Sequence, residues 1–171
     1  MTESETPKSN RPMPVLDHEA LRAKLPFPAA GLLPHGEPFA LIDTIVEEWD
    51  MGGKTSSVVH PDHPLAGADG VTGAETFIEY GAQTAAALDA FQRRDKSFDG
   101  LLVEVADSKF SIIPHVGDTI DMVINVQYDL GKWRGILYQA SVNGKPAAEG
   151  FLKILITNYK EEGTAEKKPQ A

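Results

Sequence analysis

Residues 74–92 read AETFIEYGAQTAAALDAFQ, and this stretch decides the fold. It holds no proline, so nothing interrupts a helix, which at 1.5 Å per residue runs about 28 Å. Much of its surface is small: Ala74, Ala82, Ala85, Ala86, Ala87 and Ala90, with Gly81 in the middle. A mid-helix glycine costs about 1 kcal/mol relative to alanine, so Gly81 implies a neighbour that comes very close. Glu75, Glu79 and Gln83 recur at i, i+4 and i+8 and share one face. That face continues as Ala86, Ala87 and Ala90, so it is expected to be partly buried. Burial raises a carboxyl pKa toward the range useful for general acid chemistry. Glu75, in the first turn, is assigned to the positive end of the helix dipole. Glu79 lies beyond the first turn and is the candidate for chemistry.

Outward from the helix, the pattern changes to strands. Phe39–Trp49 and Lys54–His60 are β-rich runs joined by Asp50-Met51-Gly52-Gly53. After the helix comes Leu101–Ile113, then 118–128, in which Ile120, Met122, Ile124, Val126 and Tyr128 alternate with polar residues. Lys132–Val142 and Lys145–Ile156 form a hairpin through Asn143-Gly144, a dipeptide suited to the positive φ angles of a type I′ turn. One long helix among many strands predicts an α+β class. A mostly antiparallel sheet wrapped around a lone helix is the hotdog architecture.

Seven of the twelve prolines precede residue 39. Residues 1–30 are therefore expected to be a flexible extension, with one short helix, His18–Leu25, capped by Asp17 and stopped by Pro26 and Pro28. Residues 31–159 form the hotdog domain, and the charged residues 160–171 a disordered tail. The 171-residue chain has no cysteine, which excludes a disulfide framework, a thiol nucleophile and a zinc ribbon. Its formal net charge of -9 argues against nucleic acid. The charges of residues 1–30 and of 160–171 cancel, so the whole excess lies between them. No apolar run is long enough to span a membrane, and the first dozen residues lack the basic and apolar regions of a secretory signal. A soluble, cytoplasmic protein is expected.

Four blocks carry a resemblance. Residues 33–43, LPHGEPFALID, resemble the P-H-x-x-P-F-L-L-V-D opening of the 3-hydroxyacyl-ACP dehydratases of the FabZ/FabA type. Ile78–Gln83, IEYGAQ, is similar to their I-E-x-x-A-Q helix, residues 110–118, FSIIPHVGD, to their F-x-x-P-V-x-P-G-D, and residues 142–150, VNGKPAAEG, to their V-D-G-K-x-V-A-E-A hairpin. The resemblance implies a hotdog homodimer with active sites at the subunit interface and no cofactor or metal. It further implies removal of water from a 3-hydroxyacyl thioester on acyl carrier protein, giving the trans-2-enoyl thioester in fatty acid or polyene-type biosynthesis. In that scheme Glu79 handles the 3-hydroxyl and Gln83 orients Glu79 or a water. Backbone N–H groups around Gly73 and Ala74 polarise the thioester carbonyl.

The family's catalytic histidine precedes the carboxylate by 14 residues, a position held here by Leu65. Residues 66–73, AGADGVTG, instead resemble the divergent dehydratase-like proteins of aryl polyene pathways. His63, His35 and His60 are the candidate replacements, the first two the stronger; a metal cluster of His60, Asp62 and His63 lacks a clear third and fourth ligand. Two other functions remain open: a hotdog acyl thioesterase using Glu79 alone, and a catalytically silent subunit paired with an active paralogue. The thioester carrier is acyl carrier protein or coenzyme A. An acidic carrier needs bases to dock on, and the candidates are Arg93, Arg94 and Lys96 at the helix end and Lys132 and Arg134 flanking Trp133.

Overall fold

The computed structural model describes residues 17–93 and 99–157. Its elements are α1 (His18–Arg22), β1 (Phe27–Pro28), β2 (Thr44–Trp49), β3 (Gly52–Val58), α2 (Glu75–Arg93), β4 (Gly100–Phe110), β5 (Thr119–Leu130), β6 (Trp133–Val142) and β7 (Lys145–Ile156). All strands join one seven-stranded sheet in the order β1-β2-β3-β5-β6-β7-β4, and every pairing is antiparallel. The sheet wraps α2, the α+β hotdog arrangement expected. The β6–β7 turn has φ 49° at Asn143 and 78° at Gly144, as the dipeptide predicts.

α2 is buried along most of its length because its small residues let the sheet approach. A Cβ placed on Gly81 would lie 3.1 Å from Leu152 Cδ1 on β7 and 3.6 Å from Tyr138 Cβ on β6. One turn on, Thr84 Oγ1 lies 2.8 Å from Thr55 Oγ1 on β3, and Leu88 lies over Gly53. Phe77, Tyr80, Ile120, Met122, Ile124, Tyr138 and Leu152 fill the core. The alternation in β5 persists through Ile124 and then slips at a bulge between Val126 and Tyr128.

Three expectations need correction. Residues 17–30 are not a loose extension: Leu21 and Ala29 belong to the core, and Phe27 packs on Phe91 with ring centroids 5.1 Å apart. The short helix stops at Arg22, well before the prolines. It is held down by Glu48, whose buried carboxylate Oε1 lies 2.6 Å from His18 Nδ1 and accepts a bond from Gln92 Nε2 at 2.7 Å. The first strand begins at Thr44 rather than Phe39, because the backbone of residues 39–41 is bonded to a side chain of α2 instead of to a strand. The charged tail 160–171 and residues 1–16 lie outside the described residues.

Candidate functional site

The site grows from Gln83, which is buried and uses its whole amide. Its Nε2 donates to Glu79 Oε1 at 2.7 Å and to the Phe39 carbonyl at 2.8 Å, while its Oε1 accepts the Leu41 N–H at 2.8 Å. One amide therefore fixes the Glu79 carboxylate, one turn away on α2, and ties residues 39–41 across the helix as a strap. Glu79 is half-buried and lines a cavity of about 420 Å³. Its apolar walls are Ala82 and Ala86 of α2, Leu101 and Leu102 of β4 and Ile154 of β7; Asp99, Thr157 and, from the strap's leading end, His35 add polar groups. Glu79, Gln83 and His35 are thus brought to one cavity, among apolar walls that the alanines of α2 leave open.

His63 lies elsewhere. It is buried, its ring stacks on Tyr80 at 5.9 Å between centroids, and its Nδ1 accepts the Leu65 N–H at 3.2 Å. Burial lowers its pKa, helped by the charge of nearby His60 and opposed by Asp62. His63 lines a different cavity, one that Glu79 does not line. His60 is exposed and lies 3.2 Å from Asp43 Oδ1. Leu65 is half-buried in the loop after His63 and does not line the Glu79 cavity within the chain. Gly73 and Ala74 precede α2, their carbonyls accepting from Thr76 and Phe77 N–H at 3.2 Å. The Glu75 carboxylate folds back against Gly73, where it complements the helix dipole. Among the described residues, no three His, Asp or Glu side chains are arranged to hold a metal ion.

The docking candidates separate. Arg134 is buried, with Nη1 3.1 Å from Asp89 Oδ1 and Nη2 2.6 Å from Asp129 Oδ2. It is internal structure rather than surface, a correction the sequence could not supply, because the acids that neutralise it are 5 and 45 residues away. Lys132 is exposed. Lys153, which sequence reading missed, lies 5.1 Å from the Trp133 ring centre, and only the β6–β7 register, pairing Trp133 with Leu155, brings it there. Arg93 ends α2; Arg94 and Lys96 lie outside the described residues. The strand read at Leu101–Ile113 is β4, but its place was not foreseen: it is an edge strand exposed on both faces, with Leu101, Leu102, Val103 and Val105 all open.

Comparison with known proteins agrees with the fold. The family of ApeP dehydratases matches residues 27–103. No curated protein matches by sequence. Among solved structures, one similar chain belongs to "The Dehydratase Heterocomplex ApeI:P from Xenorhabdus doucetiae", with a TM-score of 0.70, 20% identity and coverage of 77% of this chain and 92% of that one. A hypothetical thioesterase of Streptococcus pneumoniae solved with coenzyme A has a TM-score of 0.52 at 8% identity, covering 68% and 86%. A sigma28-regulated virulence protein of Campylobacter jejuni has a TM-score of 0.54 at 17% identity, covering 85% and 93%. The fold is the hotdog fold, and the likeness to divergent dehydratase-like hotdog proteins read from the sequence is borne out. No described helix is long and apolar enough to cross a membrane.

Proposed function

We propose that this dehydratase-like hotdog chain, similar to the ApeP dehydratases, removes water from a 3-hydroxyacyl thioester carried by acyl carrier protein. The observation that carries the reading is the Glu79 carboxylate, held by Gln83 on the wall of a cavity that His35 also lines and whose Ala82, Ala86, Leu101, Leu102 and Ile154 offer an apolar stretch. An acyl chain lies along Ala82, Ala86, Leu101 and Ile154. A base takes the α-proton, the thioester oxygen gains enolate character, and the 3-hydroxyl leaves as water with a proton from Glu79. Because Gln83 donates to Oε1, the proton transferred belongs on Oε2. His35 is the base, since it shares the cavity with Glu79 while His63 is turned toward Tyr80. The N–H groups at the start of α2, at Gly73 and Ala74, do not line the Glu79 cavity within the chain and reach the carbonyl only in an assembled site. Lys132 and Lys153, beside Trp133, provide the docking charge.

A second reading is that the chain completes its site only with a paralogous hotdog subunit. Leu65 at the family's histidine position favours it, as does the cavity's opening onto the start of edge strand β4. The heterocomplex named for the Xenorhabdus doucetiae structure adds support. Offering a 3-hydroxyacyl thioester and following enoyl formation against free thiol tests both readings and the thioesterase alternative. Enoyl product from the chain alone, reduced at least about 100-fold in Glu79→Gln and His35→Asn, is expected. Activity only after adding a paralogue supports the second reading, thiol release supports a thioesterase, and full dehydration by Glu79→Gln overturns Glu79.

A further inference from the structure

Three residues of α2 stand in a line along the Glu79 cavity. Glu79, Ala82 and Ala86 are spaced i, i+3 and i+7, so they share one face of the helix and rise along it in that order. From the sheet, Leu102 of β4 and Ile154 of β7, paired across the two strands, line the same space. Ala86 is 7% exposed and Ile154 3%, so packed side chains fix the width of the cavity where they stand. The floor that α2 supplies stops at Ala86. Ala90, next on that face, is buried but does not line the cavity. β4 runs back along α2, since Phe110 at its end stacks on Phe77 near the start of the helix, ring centroids 6.1 Å apart. Asp99, just before β4, therefore lies toward the far end of α2. There the lining turns polar: the Thr157 N–H and hydroxyl donate to the Asp99 carbonyl at 2.8 and 3.1 Å, tying together the ends of β4 and β7.

These positions convert into a length. Ala86 lies seven residues past Glu79, about 10 Å along the helix. An extended alkyl chain with bonds of about 1.5 Å advances about 1.3 Å per carbon, so about eight carbons fit between the two residues. With C3 of an acyl chain held at Glu79, the apolar stretch ends near about the eleventh carbon. Methylenes beyond it meet Asp99 and Thr157, both exposed, and gain little from burial. A side chain larger than a methyl group at position 86 closes the stretch sooner.

We propose that Ala86 sets the chain length this cavity takes, and that its substrates are medium-chain acyl groups of up to about eleven carbons. The inference rests on the reading of the cavity as an acyl site, not on the chemistry done at Glu79. The probes are amide analogues of saturated N-acetylcysteamine thioesters, which have neither a 3-hydroxyl to lose nor a thioester to hydrolyse, titrated calorimetrically into the full chain. Affinity is expected to rise about fourfold per methylene up to about eleven carbons and to level off in longer chains. Ala86→Leu is expected to bring that break down by about three carbons and Ala86→Val by about one. Ala82→Leu, one turn nearer Glu79, should bring it down further than either. The valine variant adds only two carbons, so it reads the same position should the leucine variant not fold. An affinity that still climbs at about sixteen carbons, no dependence on length, or a break that stays in place in the folded variants at residue 86 overturns the proposal. Enoyl formation from 3-hydroxyacyl thioesters is scored separately. A break that moves with residue 86 but no enoyl product removes the dehydratase reading and leaves this inference standing; enoyl product with no break does the reverse.

Discussion

At the scale of the residue, Gln83 does more than orient Glu79. Its three bonds join the Glu79 carboxylate, the helix and the strap, and its surroundings exclude water. Gln83→Ala strands the Leu41 N–H and the Phe39 carbonyl, and an unmet buried group costs about 1–3 kcal/mol. The variant is expected to lose about 2–4 kcal/mol in urea unfolding, with dehydration falling beyond what the lost folded fraction explains. The spacing of Glu79 and Gln83 made this pair legible in the sequence, because a helix fixes which side chains are neighbours. The histidines were not legible in this way. His35 and His63 sit in proline-rich loops, where ring direction depends on packing that no periodicity encodes. His63 makes a prediction about pH as well. Its folded pKa lies below the ordinary 6.5, so below pH 6.5 the unfolded chain binds more protons and stability falls as pH drops through the folded value. His63→Phe keeps the aromatic stack on Tyr80 and removes that slope, at most about 1.4 kcal/mol per pH unit for one group. Thermal melts of both proteins between pH 7 and 5 measure the difference, and parallel curves would contradict it.

At the scale of the element, α2 and the β6–β7 hairpin were readable because each has a strong local code. Small residues without a proline run the length of α2, and Asn143-Gly144 has the two positive φ values its turn requires. The start of β2 was misread because residues 39–43 have strand-like composition, yet the Phe39 carbonyl and the Leu41 N–H are taken by the Gln83 amide, a long-range contact. The Gly81 contacts convert into a test. Alanine gains about 1 kcal/mol of helix propensity; its Cβ is crowded by Leu152 Cδ1, the flexible end of a side chain, at 3.1 Å and makes ordinary contact with Tyr138 at 3.6 Å. Gly81→Ala is expected to be neutral within about 0.5 kcal/mol. Gly81→Leu has no room against Tyr138 and Leu152 and is expected to cost about 1–3 kcal/mol through overpacking. Urea unfolding of the two variants tests whether sheet contact, rather than chain flexibility, explains the glycine. Arg134 gives a sharper loss: Arg134→Met leaves Asp89 buried beside an apolar side chain, and breaking one side of a buried pair costs about 3–5 kcal/mol.

At the scale of the whole molecule, the -9 charge and edge strand β4 act on different partners. In the carrier-bound reading the charge repels an acidic carrier from most of the surface, so docking depends on a few bases such as Lys132 and Lys153, and neutralising them is expected to slow it. β4 is where the second hotdog subunit of the alternative reading would pair. In this eleven-residue edge strand Leu101, Leu102, Val103 and Val105 are exposed. Its first half, which carries Glu104 alone among charged residues, is the better template for pairing than the second, where Asp107, Lys109 and an irregularity between Ala106 and Lys109 blunt the edge. Its first residues also line the Glu79 cavity, so a partner paired along β4 shields that cavity from water. Assembly and chemistry are thereby linked through one strand. Val103→Lys with Val105→Lys places two charges on that edge, at residues already 46% and 40% exposed. The folded chain is expected to keep its circular dichroism spectrum and its melting temperature at matched dilution. It should elute as a monomer where the parent elutes as a larger species, alone or with a paralogue. Dehydration should fall with the assembled fraction. An unchanged elution volume would move the interface away from β4. A monomer with full activity would show instead that the Glu79 cavity works without a partner.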